Sequence, residues 1–415
     1  MAQKLDKKNV AAGAIGNILE WYDFAVYGYF AASIGRVYFP KEDPVAQLLF
    51  AFGVFAIGYL MRPLGGMVIG HIGDRVGRQA ALSLSVAAMA IPTFIVGVLP
   101  GYDTIGLAAP ILLTLCRMLQ GLSVGGEYTT SIVFMVENAP SNRRGLAGAL
   151  AGAGAVAGIL LGSATGATLG ALMSPESLDT WGWRIPFLFG LVIGIVGLLL
   201  RRNIEEKTDA PVELKQPLVE TLKYHRPLLA RLAGLSVFNA VTFYLIFVYL
   251  VTWLQLVDKM SPKVSLEINT LSMVTLIPIM IASGALSDRI GRKPVLISGL
   301  IAAIIFAYPL FNGLYHHSQT VIQLCQLGFA VLVGIFLGVS PTFMVEAAPA
   351  HVRATSVALG YNITLGIVGG LTPLAATWLV SRAHSGVAPS FMIIGAAVIS
   401  LIAILLIKDN YKKYD

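Results

Sequence analysis

Long apolar segments recur along the whole chain, and they limit the folds that it can adopt. Three of the clearest cover residues 185–200, 232–256 and 387–407. About 20 apolar residues suffice for a helix to cross the hydrocarbon core of a bilayer. Only 12% of the residues are charged, against about 25% in a typical soluble domain. The sequence therefore predicts an all-α membrane protein.

The number of these segments predicts twelve transmembrane helices. The predicted spans are 11–38, 46–70, 79–99, 105–137, 145–173, 184–201, 228–257, 265–287, 294–315, 319–347, 352–381 and 387–407. A polar stretch separates the sixth span from the seventh. It divides the chain into an N-terminal six-helix bundle (1–201), a cytoplasmic linker (202–226) and a C-terminal six-helix bundle (227–415).

The basic residues predict the orientation of the chain rather than a nucleic-acid partner. The net charge is +7, but lysine and arginine concentrate in both terminal tails, in the central stretch and in alternate loops. By the positive-inside rule, these segments lie in the cytoplasm. We therefore expect both termini in the cytoplasm and a lipid bilayer around the helices, and we expect no nucleic-acid partner.

The sequence contains no pattern typical of an enzyme. We find no phosphate-binding loop, metal-ligand cluster or nucleophile motif, which also disfavours an ATP-driven pump. Cys116 and Cys325 both fall inside predicted helices, so neither a disulfide nor a metal site is expected. The prediction is a non-enzyme without cofactor or metal.

Two sequence patterns occur once in each half of the chain. The first has an aspartate and two arginines after the second and eighth spans, at Asp74, Arg75, Arg78 and Asp288, Arg289, Arg292. The second has a glutamate and an arginine after the fourth and tenth spans, at Glu137, Arg144 and Glu346, Arg353. The copies are 214 and 209 residues apart. Such nearly constant offsets indicate a duplicated six-helix unit.

The repeated aspartate–arginine loops resemble the signature of the major facilitator superfamily. Further motifs resemble its metabolite:proton symporter branch, namely Gly16–Phe24, Arg62–Gly66, Arg117–Gly121, Gly125–Glu127 and Trp181–Phe187. That branch includes citrate, dicarboxylate and proline/betaine carriers. The resemblance covers the whole chain. It implies two six-helix bundles around a central cavity, transport by alternating access, a monomer, and the cytoplasmic (inner) membrane of a bacterium.

Ionisable residues deep inside the predicted helices are few, and all lie in the N-terminal half: Glu20, Asp23, Arg62, Arg117 and Glu127. A buried charge in a membrane is costly, so such a residue usually faces a cavity and carries function. We predict that a carboxylate carries the coupled proton, with Asp23 as the first candidate and Glu20 and Glu127 after it. Loss of water favours the protonated form of a carboxyl group, whereas a nearby arginine favours the charged form, so the two together allow the proton to bind and leave. The alternative for each carboxylate is a permanent ion pair with Arg62 or Arg117.

Arg117 is the predicted anchor for a substrate carboxylate, because a guanidinium group matches a carboxylate in shape and charge. The alternative is that Arg117 is an internal partner of Asp23 or Glu20. The equivalent residue of the second half is Gln326. Further predicted substrate contacts are polar or aromatic residues facing the cavity, namely Asn17, Tyr27, Gln120, Tyr244 and Asn362, and Asn239, Tyr249 and Tyr361 are candidates for its wall.

The repeated loops also predict a cytoplasmic gate. We expect Asp74, Arg75, Arg78, Glu137, Arg144 and their copies in the second half to latch the outward-facing state. The alternative is that these residues only set topology and cap helices.

In the fifth span, glycines recur every four residues, at Gly154, Gly158, Gly162, Gly166 and Gly170. They predict close contact with another helix, which the resemblance implies is the eighth.

The leading prediction for function is proton-coupled symport of a small organic acid of the di- or tricarboxylate type. The first alternative is uptake of a zwitterion such as proline or betaine. Osmosensing members of that kind carry a long C-terminal extension, and this chain ends about eight residues past the last span, which favours the organic acid. The second alternative is a metabolite or drug exporter. The fifth span lacks the proline typical of drug:proton antiporters, which disfavours export.

Overall fold

The computed structural model describes residues 18, 20–40, 43–65, 78–123, 127–137, 139–201, 217–315 and 318–408. Over these residues the chain forms twelve long helices and no β-strand. They are α1 (20–38), α2 (Pro44–Gly65), α3 (Arg78–Val98), α4 (108–137, with 124–126 outside the described residues), α5 (Arg144–Leu172), α6 (Ile185–Arg201), α7 (Arg226–Leu256), α8 (Pro262–Ile290), α9 (Arg292–Leu314), α10 (Gln319–Ala347), α11 (353–383) and α12 (Pro389–Leu406). Eight are long and apolar enough to cross a membrane by those criteria alone.

The helices confirm the predicted all-α architecture, and most of their ends lie within a few residues of the predicted spans. Residues 202–216 of the predicted linker lie outside the described residues. The rest of the linker contains a short helix, Pro217–Tyr224. The exact division into two bundles stays a prediction.

The equivalent helices α2 and α8 begin in the same way. Asp43 and Ser261 are their N-caps, and each side chain accepts a hydrogen bond of 3.3 Å from the backbone N–H three residues later. A proline follows each cap, at a position where a helix needs no N–H donor. At its other end, α8 stops at Gly291, whose φ of 96° favours glycine.

Helix α5 packs closely along α8 and joins the two halves of the chain. The closest approach is between Gly145 and Gly284. A β-carbon on Gly145 would lie 2.4 Å from the carbonyl oxygen of Gly284, and one on Gly284 would lie 2.6 Å from that of Gly145. Only glycine permits the two backbones to come this close.

The glycine stripe predicted on α5 divides between two neighbouring helices. Gly158 and Gly162 face α1, whereas Gly166 and Gly170 face α8. Gly154 has no neighbour within 4 Å of its β-carbon position. The predicted contact with α8 is present at Gly166 and Gly170, whereas Gly158 and Gly162 contact α1 instead. The reason is geometric: four residues turn a helix by about 400°, so each step rotates the stripe by about 40°.

Two π-helical turns interrupt the C-terminal half, at Leu245–Tyr249 in α7 and Leu365–Gly369 in α11. Tyr59 of α2 lies beside both helices. Its hydroxyl accepts a hydrogen bond of 2.7 Å from Tyr244, and its ring packs against Gly370. Because π-turns are frequent at functional sites, this contact between the halves directs attention to the surrounding side chains.

Candidate proton-coupling and substrate site

The first buried ion pair joins Asp23 of α1 to Arg117 of α4. One carboxylate oxygen of Asp23 lies 2.6 Å from Nη1 of Arg117, and both side chains are fully buried. The other oxygen accepts hydrogen bonds from Thr93 of α3 at 2.7 Å and from Gln120 of α4 at 2.8 Å. Charge-assisted bonds of this kind are the strong ones in proteins. Asp23 therefore ties three helices of the N-terminal half together.

Aromatic rings enclose the guanidinium group of Arg117. Its central carbon lies 4.5 Å from the ring centre of Phe24 and 4.4 Å from that of Tyr27, within the range of cation–π contacts. The Tyr27 hydroxyl donates to the carbonyl of Ala51 at 2.9 Å. This geometry favours the alternative in which Arg117 is an internal partner of Asp23. A substrate contact by Arg117 stays a prediction.

The second buried ion pair joins Glu20 of α1 to Arg62 of α2 at 2.8 Å. The two side chains are 7% and 2% exposed, so both charges are removed from water. The guanidinium carbon of Arg62 lies 5.2 Å from the ring centre of Tyr59 and 5.8 Å from that of Trp21. This pair matches the ion-pair alternative that the sequence left open for Glu20.

A small cavity lies between the two halves, next to the second ion pair. Its wall is mainly aromatic and apolar, and is formed by Trp21, Tyr128, Gly152, Ala155, Val156, Ile159, Asn239, Phe243, Tyr244, Met280, Leu337, Tyr361 and Leu365. The volume open to the centres of water molecules is about 20 Å³, which is room for about one water. A larger ligand requires the halves to separate further than they do here.

The rings of this wall contact each other across the boundary between the halves. Trp21 stacks on Tyr244 with ring centres 6.5 Å apart, and meets Tyr128 edge-on at 5.8 Å. Tyr128 in turn lies 5.2 Å from Tyr361. The cavity thus presents several aromatic faces to one small volume.

Some of the predicted substrate residues reach this cavity, and others do not. Tyr244, Asn239 and Tyr361 line it. Gln120 and Tyr27 belong to the surroundings of Asp23 and Arg117 instead. Asn362 and Tyr249 are buried but are not part of the wall. Asn17 and the side chain of Glu127 lie outside the described residues.

Among the residues of the wall that sequence reasoning missed, three are aromatic, namely Trp21, Tyr128 and Phe243. Two of them directly follow a carboxylate that is a predicted proton carrier, since Trp21 comes after Glu20 and Tyr128 after Glu127. That adjacency was the available signal. It was weak, because an aromatic residue in a membrane helix is more often part of the packing or of the interfacial belt.

The equivalent core of the C-terminal half is neutral. Gln326 of α10 donates to the side-chain oxygen of Asn269 at 3.0 Å. The amide nitrogen of Asn269 donates to Tyr29 of α1 at 3.0 Å and to Ser163 of α5 at 3.1 Å. Amides and hydroxyls here connect helices of both halves without any formal charge.

A third cluster surrounds the repeated loop of the second half. Arg292 donates to the two carboxylate oxygens of Glu346 at 3.1 and 3.0 Å, and to Asp288 at 2.7 Å. Asp288 also accepts hydrogen bonds from the backbone N–H groups of Gly145 and Leu146, at 2.8 and 3.0 Å. A carboxylate from one half thus caps the N-terminus of α5 in the other, where a negative charge is favourable.

Two further contacts cross between the halves at the same end of the helices. Glu137 and Arg353 form an ion pair of 2.5 Å, and Thr342 donates to the backbone carbonyl of Arg144 at 3.0 Å. Arg289 is exposed. In the first half, Asp74, Arg75 and the side chain of Arg78 lie outside the described residues. These contacts have the form expected of a latch, but the gating role stays a prediction.

Comparison with known proteins identifies the family of the chain. A model of the Major Facilitator Superfamily matches residues 14–359. The proline/betaine transporter of Escherichia coli K12 is 35% identical, over 97% of this chain and 84% of its own length. The glycine betaine/proline/ectoine/pipecolic acid transporter of Dickeya dadantii is also 35% identical, over 98% of this chain and 84% of its own.

The fold also resembles a solved structure. A D-xylose-proton symporter superposes with a TM-score of 0.78, covering 98% of both chains at 18% identity. This likeness supports the architecture of twelve helices. The family match covers most of the chain, and the relatives are transporters rather than enzymes. The chain therefore belongs to the major facilitator superfamily and is a membrane transporter.

Proposed function

We propose that the protein imports a small zwitterion of the proline or betaine type together with protons. The relatives carry the names of proline/betaine transporters and are 35% identical over nearly the whole chain. They favour the zwitterion alternative over the organic acid that was the leading expectation from the sequence. The motifs do not separate the two substrate classes, because carriers of both classes share them.

The observation that carries the proposal is the aromatic wall of the central cavity. Aromatic faces recognise ammonium groups through cation–π attraction, and Trp21, Tyr128 and Phe243 all contribute to the wall. The described lining residues include no charged side chain. A di- or tricarboxylate carries two or three negative charges, so it needs cations around it. A zwitterion has no net charge and suits this wall better.

Asp23 is the proposed proton carrier. A proton on Asp23 removes its charge and ends the ion pair with Arg117, while Thr93 and Gln120 can still hydrogen-bond the neutral acid. Because the network connects α1, α3 and α4, its rearrangement changes how these helices pack. Asp23 has no exposure here, so proton entry needs a state in which the halves have opened.

The cytoplasmic network completes the proposed cycle. Asp288 and Arg353 hold the halves together at one end of the helices, and they release when the cavity opens to the cytoplasm. The proposal includes a monomer in a bacterial cytoplasmic membrane, with both termini and residues 202–226 in the cytoplasm.

Proton flux in proteoliposomes tests the proposal. A pH dye is trapped inside, and proline, glycine betaine, a dicarboxylate and citrate are added outside one at a time. We expect acidification of the interior with a zwitterion and none with the di- and tricarboxylates. Acidification by a carboxylate alone would restore the organic-acid interpretation. Silence with every compound, from protein shown to be folded, would contradict proton-coupled uptake of these substrates.

A further inference from the structure

We infer that Arg62, rather than Arg117, binds the carboxylate of the substrate from behind the aromatic wall of the cavity. The inference rests on the proposed function, because it assumes a zwitterionic ligand. It assigns the two ends of that ligand to different groups, with the ammonium on the aromatic rings and the carboxylate on one guanidinium.

The hydrogen-bond partners of Arg62 provide the first step. Its Nη2 donates to Glu20 at 2.8 Å. Its Nε and Nη1 are buried, and they have no acceptor within the described part of the chain. These two nitrogens carry three of the five N–H donors of a guanidinium. Buried donors are nearly always hydrogen-bonded in native proteins, so donors without an acceptor beside a cavity suggest a ligand oxygen.

The comparison with Arg117 provides the second step, because Arg117 also has two buried nitrogens without an acceptor among the described residues. The rings that surround Arg117 belong to Phe24, Tyr27 and Phe55, and none of these residues lines the cavity. Trp21 lies beside Arg62 and does line it. Arg62 is therefore one side chain away from the cavity, whereas Arg117 is further removed.

The third step is the path from the cavity to Arg62. Tyr59 packs on the guanidinium at 5.2 Å and is hydrogen-bonded to Tyr244 of the cavity wall at 2.7 Å. The tyrosine pair joins α2 of one half to α7 of the other, so it separates when the halves move apart. Its separation opens the way from the cavity to the guanidinium.

Trp21 provides a second donor at the same end. Its indole N–H is buried without an acceptor among the described residues, and its ring centre lies 5.8 Å from the guanidinium carbon of Arg62. A carboxylate placed between them would accept from both. The rings of Tyr128 and Phe243, which contact Trp21 at 5.8 and 6.1 Å, then face the ammonium end.

The test measures equilibrium binding of two ligands to purified protein, so that binding is read separately from proton coupling. Glycine betaine and choline share a trimethylammonium group, but choline has a hydroxyl in place of the carboxylate. We expect Arg62→Gln to weaken glycine betaine about 10- to 100-fold, which corresponds to the loss of one charge-assisted hydrogen bond, and to change choline by less than about 2-fold. Arg36→Gln, at an exposed ion pair with Asp179, is the matched control and should change neither ligand.

An equal loss of both ligands in Arg62→Gln would overturn the inference, because it would mean that Arg62 only positions helices. Unchanged glycine betaine binding would also overturn it. If the glutamine variant fails to fold or choline binds too weakly to measure, Arg62→Lys decides. Lysine keeps one positive charge, so this variant should retain part of the wild-type affinity for glycine betaine. An affinity more than about 100-fold below that of wild type would overturn the inference. If folded wild-type protein binds no zwitterion at all, the proposed function fails first.

Discussion

The buried core of the N-terminal half is ionic, whereas the equivalent core of the C-terminal half consists of neutral amides. Arg117 and Gln326 occupy equivalent positions 209 residues apart. Arg117 pairs with Asp23 at 2.6 Å, and Gln326 donates to Asn269 at 3.0 Å. Both networks join several helices, so packing alone does not require charge. Because buried charge is costly in a membrane, its presence in one half indicates a task that this half performs.

The contacts at the proposed cytoplasmic end differ from the cores, because both halves carry the same motifs. Asp288 of the second half reaches the start of α5 in the first, and Glu137 of the first half reaches Arg353 of the second. A latch between two moving bodies needs groups on both. A proton site needs groups on only one. Both halves thus carry the motifs of the proposed latch, whereas the ionisable residues of the core lie in one half.

The largest expected effect is on the Asp23–Arg117 pair. Asp23→Asn or Arg117→Gln alone leaves a buried charge without its partner, and each should lower the free energy of unfolding by about 3–5 kcal/mol. The double variant removes both charges and should cost less than the sum of the two. Thermal unfolding in detergent measures all three. Arg36→Gln at an exposed pair is the control, with an expected change below about 1 kcal/mol. Additive losses would contradict a coupled pair.

Asp288→Ala should have the next largest effect. It removes the cap of α5 and one partner of Arg292, so the cytoplasmic-open state should gain about 1–2 kcal/mol, or roughly 5- to 30-fold in population. Distances between spin labels across the latch measure the shift. Glu267→Gln, an exposed carboxylate on the same helix, should leave the distances unchanged. Unchanged distances in Asp288→Ala itself would argue for a capping role without gating.

Gln326→Leu tests the neutral half. The loss of its bond to Asn269 should lower the free energy of unfolding by about 1–2 kcal/mol. The number of protons carried with each substrate molecule should stay unchanged, because no titratable group is lost. Unfolding in detergent and a reversal-potential measurement in proteoliposomes provide the two readings. A change in proton stoichiometry would place coupling chemistry in the C-terminal half as well.

Glu137→Gln should have the smallest effect. Its side chain is 42% exposed, so water screens the pair with Arg353. The free-energy difference between the closed and the cytoplasmic-open state should therefore change by less than about 1 kcal/mol. The same spin-label distances should shift only slightly. A shift larger than that of Asp288→Ala would reverse the ranking of the two latch contacts.

The sequence predicted the architecture well because apolar length and repeated motifs report on each helix separately. It also brought Asp23 and Arg117 together as one of two alternatives. It did not predict the cavity wall, because Trp21, Tyr128 and Phe243 lie on three helices, and helical periodicity does not say which helices become neighbours. Nor did it predict that part of the glycine stripe contacts α1, since a four-residue spacing drifts around the helix. The proposed substrate class rests on the names of the relatives rather than on the motifs.

The most direct test of the central claim compares wild type with Asp23→Asn in proteoliposomes that contain a trapped pH dye. The same preparations are assayed for exchange of labelled zwitterion without a gradient, which shows that the variant is folded and binds substrate. The account predicts substrate-driven acidification in wild type, none in Asp23→Asn, and exchange in both. Acidification of equal size in Asp23→Asn would contradict the placement of proton coupling at this residue.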